Sequence, residues 1–115
     1  MRAKAKFWLE TEGGSYLLGP GALGLLVAVE RTGSLKAGAK VVGLSYRGAW
    51  DRLKKAEEGL GFPLLVRHSG GEGGGGSSLS PRAQDLVRRY ERFLQVVEED
   101  VEKRFLEAFA DWEEG

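Results

Sequence analysis

Ser34-Leu35-Lys36-Ala37-Gly38-Ala39-Lys40-Val41-Val42-Gly43-Leu44-Ser45-Tyr46-Arg47-Gly48-Ala49-Trp50-Asp51 is the run on which the fold of this chain turns. Ser34 is a good N-cap, because its hydroxyl accepts a bond from an orphan backbone amide. Gly43 can take the left-handed conformation that closes a helix. The run therefore opens with a short helix from 34 to 43. Leu44 fills a tight turn, and Ser45 caps a second helix that runs from Tyr46 to about Glu58. Two short helices joined by a turn of a few residues form the bihelical motif whose second helix enters the major groove of DNA.

Helical spacing sorts the second helix into faces. Tyr46, Ala49, Trp50, Leu53 and Ala56 are expected to face the core. Arg47, Asp51, Arg52, Lys54 and Lys55 fall off that stripe, with Ser45, Arg47 and Gly48 at the N-terminal end. Recognition helices place side chains against bases and amides against phosphates at that end. The plainer alternative is an ordinary amphipathic helix with a solvated basic face.

Downstream, Leu64 to Arg67 is a short apolar run headed by Pro63, which suits an edge strand. Ser77 to Leu79 can pair back to it, leaving the glycine-rich stretch from Gly70 to Gly76 at the tip of a hairpin. Alone, that stretch reads more often as a flexible linker, and no Gly-Lys-Ser/Thr follows to make it a P-loop. One strand after a helix-turn-helix, it reads as a wing whose glycine amides can lie against a phosphate backbone.

The chain resembles the DNA-binding domain of the molybdate-responsive repressors of the ModE type, which share a winged-helix layout with LysR-type regulators. The resemblance is carried by Thr32-Gly33-Ser34, Ala37-Gly38-Ala39-Lys40, Gly43-Leu44-Ser45-Tyr46-Arg47, Ala49-Trp50-Asp51, Leu65-Val66-Arg67, the glycine tract and Leu79-Ser80-Pro81. It implies a dimeric repressor or activator whose recognition helix and wing contact an operator. Members that sense molybdate carry oxyanion-binding domains after the winged helix. This chain ends at Gly115, so no molybdate site is expected within it.

Composition agrees with a DNA partner once charge is located. The 115 residues carry no net charge. Residues 1–92, however, hold 15 Lys and Arg against 9 Asp and Glu, while residues 93–115 hold 2 against 8. A basic body with an acidic tail suggests one surface for phosphate and a segment kept away from it. Cysteine is absent, which removes disulfides, thiol catalysis and zinc knuckles. No run approaches the ~20 apolar residues of a membrane span, and no signal peptide is visible, so the cytoplasm is the expected location. The lack of Asn, Ile and Cys together with abundant charge fits a thermophile. The lone His68 and the acidic cluster Glu98-Glu99-Asp100-Glu102 offer no nucleophile, base pair or metal spacing. Neither an enzyme, a metal nor a cofactor is expected.

The N-terminal stretch, Lys6 to Glu10 and Ser15 to Leu18 around Gly13-Gly14, reads as a hairpin with Phe7 and Leu9 on one face. Trp8, on the other, is expected in the core or an interface. Pro20 starts a support helix striped by Ala22, Leu25, Leu26 and Val29, with Leu23 and Val27 left over for a second apolar surface. Ser80-Pro81 starts a long helix to about Trp112, striped by Leu86, Tyr90, Phe93, Val97, Val101, Phe105, Ala108 and Trp112. A helix of ~30 residues spans ~45 Å, longer than a winged-helix core is wide, so its far half must bury that stripe elsewhere.

The expectation is thus an α+β winged helix-turn-helix. Residues 1–80 form the DNA-binding domain, with a hairpin at 6–18, the helix-turn-helix at 34–58 and the wing at 63–80. A C-terminal dimerisation helix follows at 81–115. Double-stranded DNA would meet Ser34, Lys36, Ser45, Tyr46, Arg47, Arg52, Lys55, Arg67, His68, Gly71, Gly73, Gly74 and Gly75. A homodimer would use Leu23, Val27, Tyr90, Phe93, Val97, Val101, Phe105, Phe109 and Trp112. The competing reading is a winged-helix adaptor that binds protein and has lost DNA affinity, for which a basic recognition helix would have no purpose.

Overall fold

The computed structural model of the chain describes residues 1–69 and 76–113. A hairpin of β1 (Leu9–Glu10) and β2 (Tyr16–Leu18) leads into α1 (Pro20–Thr32), α2 (Leu35–Val41) and α3 (Tyr46–Leu60). Strands β3 (Leu65–His68) and β4 (Gly76–Leu79) follow, then α4 (Pro81–Ala108). This is an α+β winged helix-turn-helix with two separate two-stranded antiparallel sheets.

Three serines set the helix starts. The Oγ atoms of Ser34, Ser45 and Ser80 accept from the amides of Ala37, Gly48 and Ala83 at 3.0, 3.0 and 3.1 Å, each satisfying a donor that the helix itself cannot. Gly33 closes α1 at φ +83°, a conformation that costs a side-chain-bearing residue but not glycine. The wing pairs in register from Leu65 with Leu79 to His68 with Gly76.

Helix α1 is the centre of the molecule. Its expected stripe, Ala22, Leu25, Leu26 and Val29, is buried, and so are Leu23 and Ala28. Leu23 is therefore no second surface. With α2, α3, α4, β2 and β4 all set around it, a helix has little solvent face left, and one-sided periodicity understates its burial. From α3 the core takes Ala49, Leu53 and Ala56. Trp50 is half-buried and Tyr46 is exposed, so Tyr46 is not the core residue its spacing suggested. Tyr46 is the first residue of α3, one turn ahead of where the helix meets the core. Trp8 also lies outside: 48% exposed, it donates from Nε1 to the Glu10 carboxylate at 2.9 Å.

The long helix divides in two. Its start is locked to the core by Ala83, Val87 and Tyr90, and the Tyr90 hydroxyl donates to the Phe7 carbonyl at 2.8 Å. Tyr90, 3% exposed, belongs to the chain's own core and is not free for a partner. Burial, and secondarily the charge on Tyr16, raise the Tyr90 phenol above its ordinary range. Arg88 ties α4 to α1 by reaching Glu30 at 2.6 Å, and it also meets Glu91 at 3.0 Å. The bond to Glu30 is the largest cause of the guanidinium's raised pKa. Beyond Tyr90, Phe93, Val96, Leu106, Phe109 and Trp112 are exposed, and Val97, Val101 and Phe105 are half-buried. The helix ends at Ala108 rather than near Trp112; past it, ring contacts link Phe105 to Phe109 at 4.8 Å and Phe109 to Trp112 at 5.9 Å.

Candidate nucleic-acid interface

The start of α2, the start of α3 and the base of the wing meet around one concavity of about 200 Å³. Ser34, Lys36, Tyr46, Arg67 and His68, five residues read from the sequence as DNA contacts, line it together. They come from three elements spread over 35 positions of the chain, and the fold alone unites them.

Hydrogen bonds position four of the five. Arg67 donates from Nη2 to the Tyr46 hydroxyl at 3.4 Å, which joins the wing to the recognition helix. His68 Nε2 lies 2.8 Å from Ser78 Oγ across the wing. The capping oxygens of Ser34 and Ser45 accept backbone amides, so their hydroxyl protons remain able to donate outward. The wing is fixed to the helix-turn-helix by the Ser77 amide, which donates to the Gly33 carbonyl at 2.9 Å.

Gly76 has a physical reason of its own. A β-carbon there would sit 2.6 Å from the Gly33 carbonyl oxygen, so only glycine lets β4 come this close to the α1–α2 turn. Its place at the end of a glycine tract hid that role. Gly71, Gly73, Gly74 and Gly75, read as phosphate contacts, lie outside the described residues.

Arg47 stands next to the concavity on the outward face of α3. Its side chain is 83% exposed, with Nε 3.3 Å from the Asp51 carboxylate. Trp50 lies between two cations, with the Arg47 guanidinium 5.8 Å and the Lys54 ammonium 5.9 Å from its ring centre. Trp50, expected to face the core, packs against it while half-exposed, and so also backs the cationic face of α3. Lys55 is exposed further along α3. Arg52 points elsewhere: a β-carbon at Gly21 would collide with its guanidinium, so it rests against the first turn of α1, apart from the other five. Leu35, Gly76 and Ser77 complete the lining and carried no sequence signal as site residues. Among the described residues no group of His, Asp or Glu is arranged to hold a metal ion.

The chain matches the family of bacterial regulatory helix-turn-helix proteins of the LysR type over residues 21–84. It is 39% identical over 95 residues to the molybdenum transport protein ModE of Azotobacter vinelandii, covering 83% of this chain and 34% of that protein. It is 35% identical over 77 residues to the DNA-binding transcriptional dual regulator ModE of Escherichia coli K12, covering 67% of this chain and 29% of that protein. The chain thus spans about a third of the length of these relatives. In three dimensions it resembles the protein of the CbnR_DBD–DNA complex, with a TM-score of 0.60 at 22% identity over 76% of this chain and 94% of that one. That last likeness is one of fold.

Proposed function

Since the chain belongs to the LysR family of bacterial regulatory helix-turn-helix proteins, we propose that it is a sequence-specific DNA-binding transcriptional regulator acting as a homodimer. The observation that carries the reading is the single concavity in which Ser34, Lys36, Tyr46, Arg67 and His68 meet beside an outward Arg47. A helix-turn-helix presents its second helix to the major groove, and cations and hydroxyls at its edge hold the backbone in register.

In this reading Arg47 is the base-reading residue, because its fork suits guanine O6 and N7. To do so its guanidinium trades or shares the Asp51 carboxylate. Lys36, Arg67 and Lys55 neutralise phosphates, Ser34, Ser45 and Tyr46 donate hydroxyls to them, and the glycine amides of the wing add contacts. Arg52, turned toward α1, contributes through the local field rather than by contact. The half-buried and exposed apolar residues of α4 beyond Tyr90, from Phe93 to Trp112, supply the dimer surface, to which Val27 is a minor addition. A protein working on an operator acts in the cytoplasm. A relative named for molybdenum transport makes molybdenum supply the first physiological setting to examine.

Selection of bound duplexes from a random pool tests the proposal. A two-fold-symmetric motif with half-sites about one helical turn apart is the expected outcome. A bound pool as random as the input would refute sequence-specific recognition.

A further inference from the structure

Met1-Arg2-Ala3-Lys4-Ala5-Lys6-Phe7 alternates cationic and apolar residues. On an extended backbone Arg2, Lys4 and Lys6 take one side, and Ala3, Ala5 and Phe7 the other. This arm forms no helix or strand. It is pinned at one end, where the Phe7 carbonyl accepts the Tyr90 hydroxyl at 2.8 Å and the Phe7 ring meets Phe93 edge-on at 5.9 Å. From there it follows the outer half of α4. Arg2, Ala3, Lys4, Ala5 and Phe7 border a cleft of about 430 Å³ with Glu98, Val101, Glu102 and Leu106.

Two properties of that contact matter. Arg2 and Lys4 border the most acidic part of the chain at Glu98 and Glu102, which attracts the arm through solvent, and salt weakens that attraction. The contact also leaves a cleft of about 430 Å³ between arm and helix, so the arm does not pack closely along its whole length. Val101, in the middle of the apolar stripe, borders the arm's cleft together with Leu106 and is half-buried like its stripe neighbours Val97 and Phe105. Val101 cannot face the arm and the α4 helix of another protomer at once.

We propose that the N-terminal arm is a reversible cover for the outer half of α4 and competes with a second copy of this chain for that face. The inference rests on the homodimer reading above. Salt, by releasing the arm, exposes the stripe and favours association.

Sedimentation of the full chain and two variants, at low and at high ionic strength, tests it. Arg2→Gln/Lys4→Gln/Lys6→Gln removes the attraction, and Phe7→Ala removes the anchor without changing charge; circular dichroism establishes that each is folded. The cover predicts self-association tightened about fivefold in the triple variant at low ionic strength, the yield of a few solvent-screened charge attractions. The gap closes at high ionic strength, while Phe7→Ala stays tighter at both. Association unchanged or weakened in the triple variant overturns the cover and leaves the dimer standing. Absence of association in every chain overturns the dimer reading itself, and the cover with it.

Discussion

The two halves of α4 have almost the same sequence pattern and opposite surroundings. From Ala83 to Tyr90 the stripe is sealed against α1, the wing and Phe7, and Arg88 reaches Glu30 to hold the helix down. From Phe93 to Trp112 most of the stripe continues past the end of the core, and the N-terminal arm lies beside part of it. The same periodicity serves stability at one end and, in our reading, association at the other. What separates them is where the other elements stop. A similar division runs across α3, whose Ala49, Leu53 and Ala56 hold the fold while Arg47 faces outward and, in our reading, meets DNA.

Substitutions should fall into these classes, and the largest effect is expected in the sealed half. Tyr90→Ala should cost about 3–5 kcal/mol in urea unfolding, as large-to-small changes of buried aromatics do. A loss under 1 kcal/mol would mean that the inner half is not locked as described. Arg47→Ala should leave unfolding unchanged yet reduce discrimination at one base pair by about 1–3 kcal/mol in competition titrations; an equal loss on every duplex would remove Arg47 from base reading. Tyr90→Phe isolates the hydroxyl and should cost about 1 kcal/mol, since the Phe7 carbonyl loses its donor.

The same variant has a pH signature. Burial keeps the Tyr90 phenol neutral above the ordinary value of about 10. The unfolded chain releases that proton first as pH rises, so stability present below pH ~10 declines above it. Tyr90→Phe should show a shallower decline between neutral and alkaline pH, and identical slopes would place the phenol in solvent. The smallest effect is expected outside. Leu106→Ser should shift the stability of dilute, monomeric protein by no more than about 0.5 kcal/mol, while weakening self-association measured by sedimentation. A large loss of monomer stability would show that Leu106 is packed within the chain and is not available to a partner.

Much of this was legible in the residues because local chemistry decided it. Ser34, Ser45 and Ser80 announced helix starts that the structure places at the same positions, and Pro63 with Leu79 bracketed the wing. The strands of the N-terminal hairpin proved shorter than its aromatic pattern implied. What failed depended on neighbours distant in sequence. Leu23 reads as surplus on a one-sided helix but is enclosed because α1 is surrounded. Tyr46 fits the apolar stripe of α3 but precedes the turn that meets the core. Tyr90 lies on the right stripe, and its partner is Phe7, 83 residues away. Arg52 and Arg47 are equally cationic in sequence; the approach of Arg52 to α1 at Gly21 sets them apart in the structure.

In the proposed function, the concavity between α2, α3 and the wing binds double-stranded DNA. Fluorescence anisotropy of a labelled duplex titrated with the chain across a salt series tests it most directly. Micromolar or tighter binding is expected, with log affinity falling linearly against log salt at a slope that reports several released counterions. Lys36→Ala should lower that slope by about one. Absence of binding at low salt, or binding indifferent to salt and to Lys36, would contradict the account and favour an adaptor that meets protein instead.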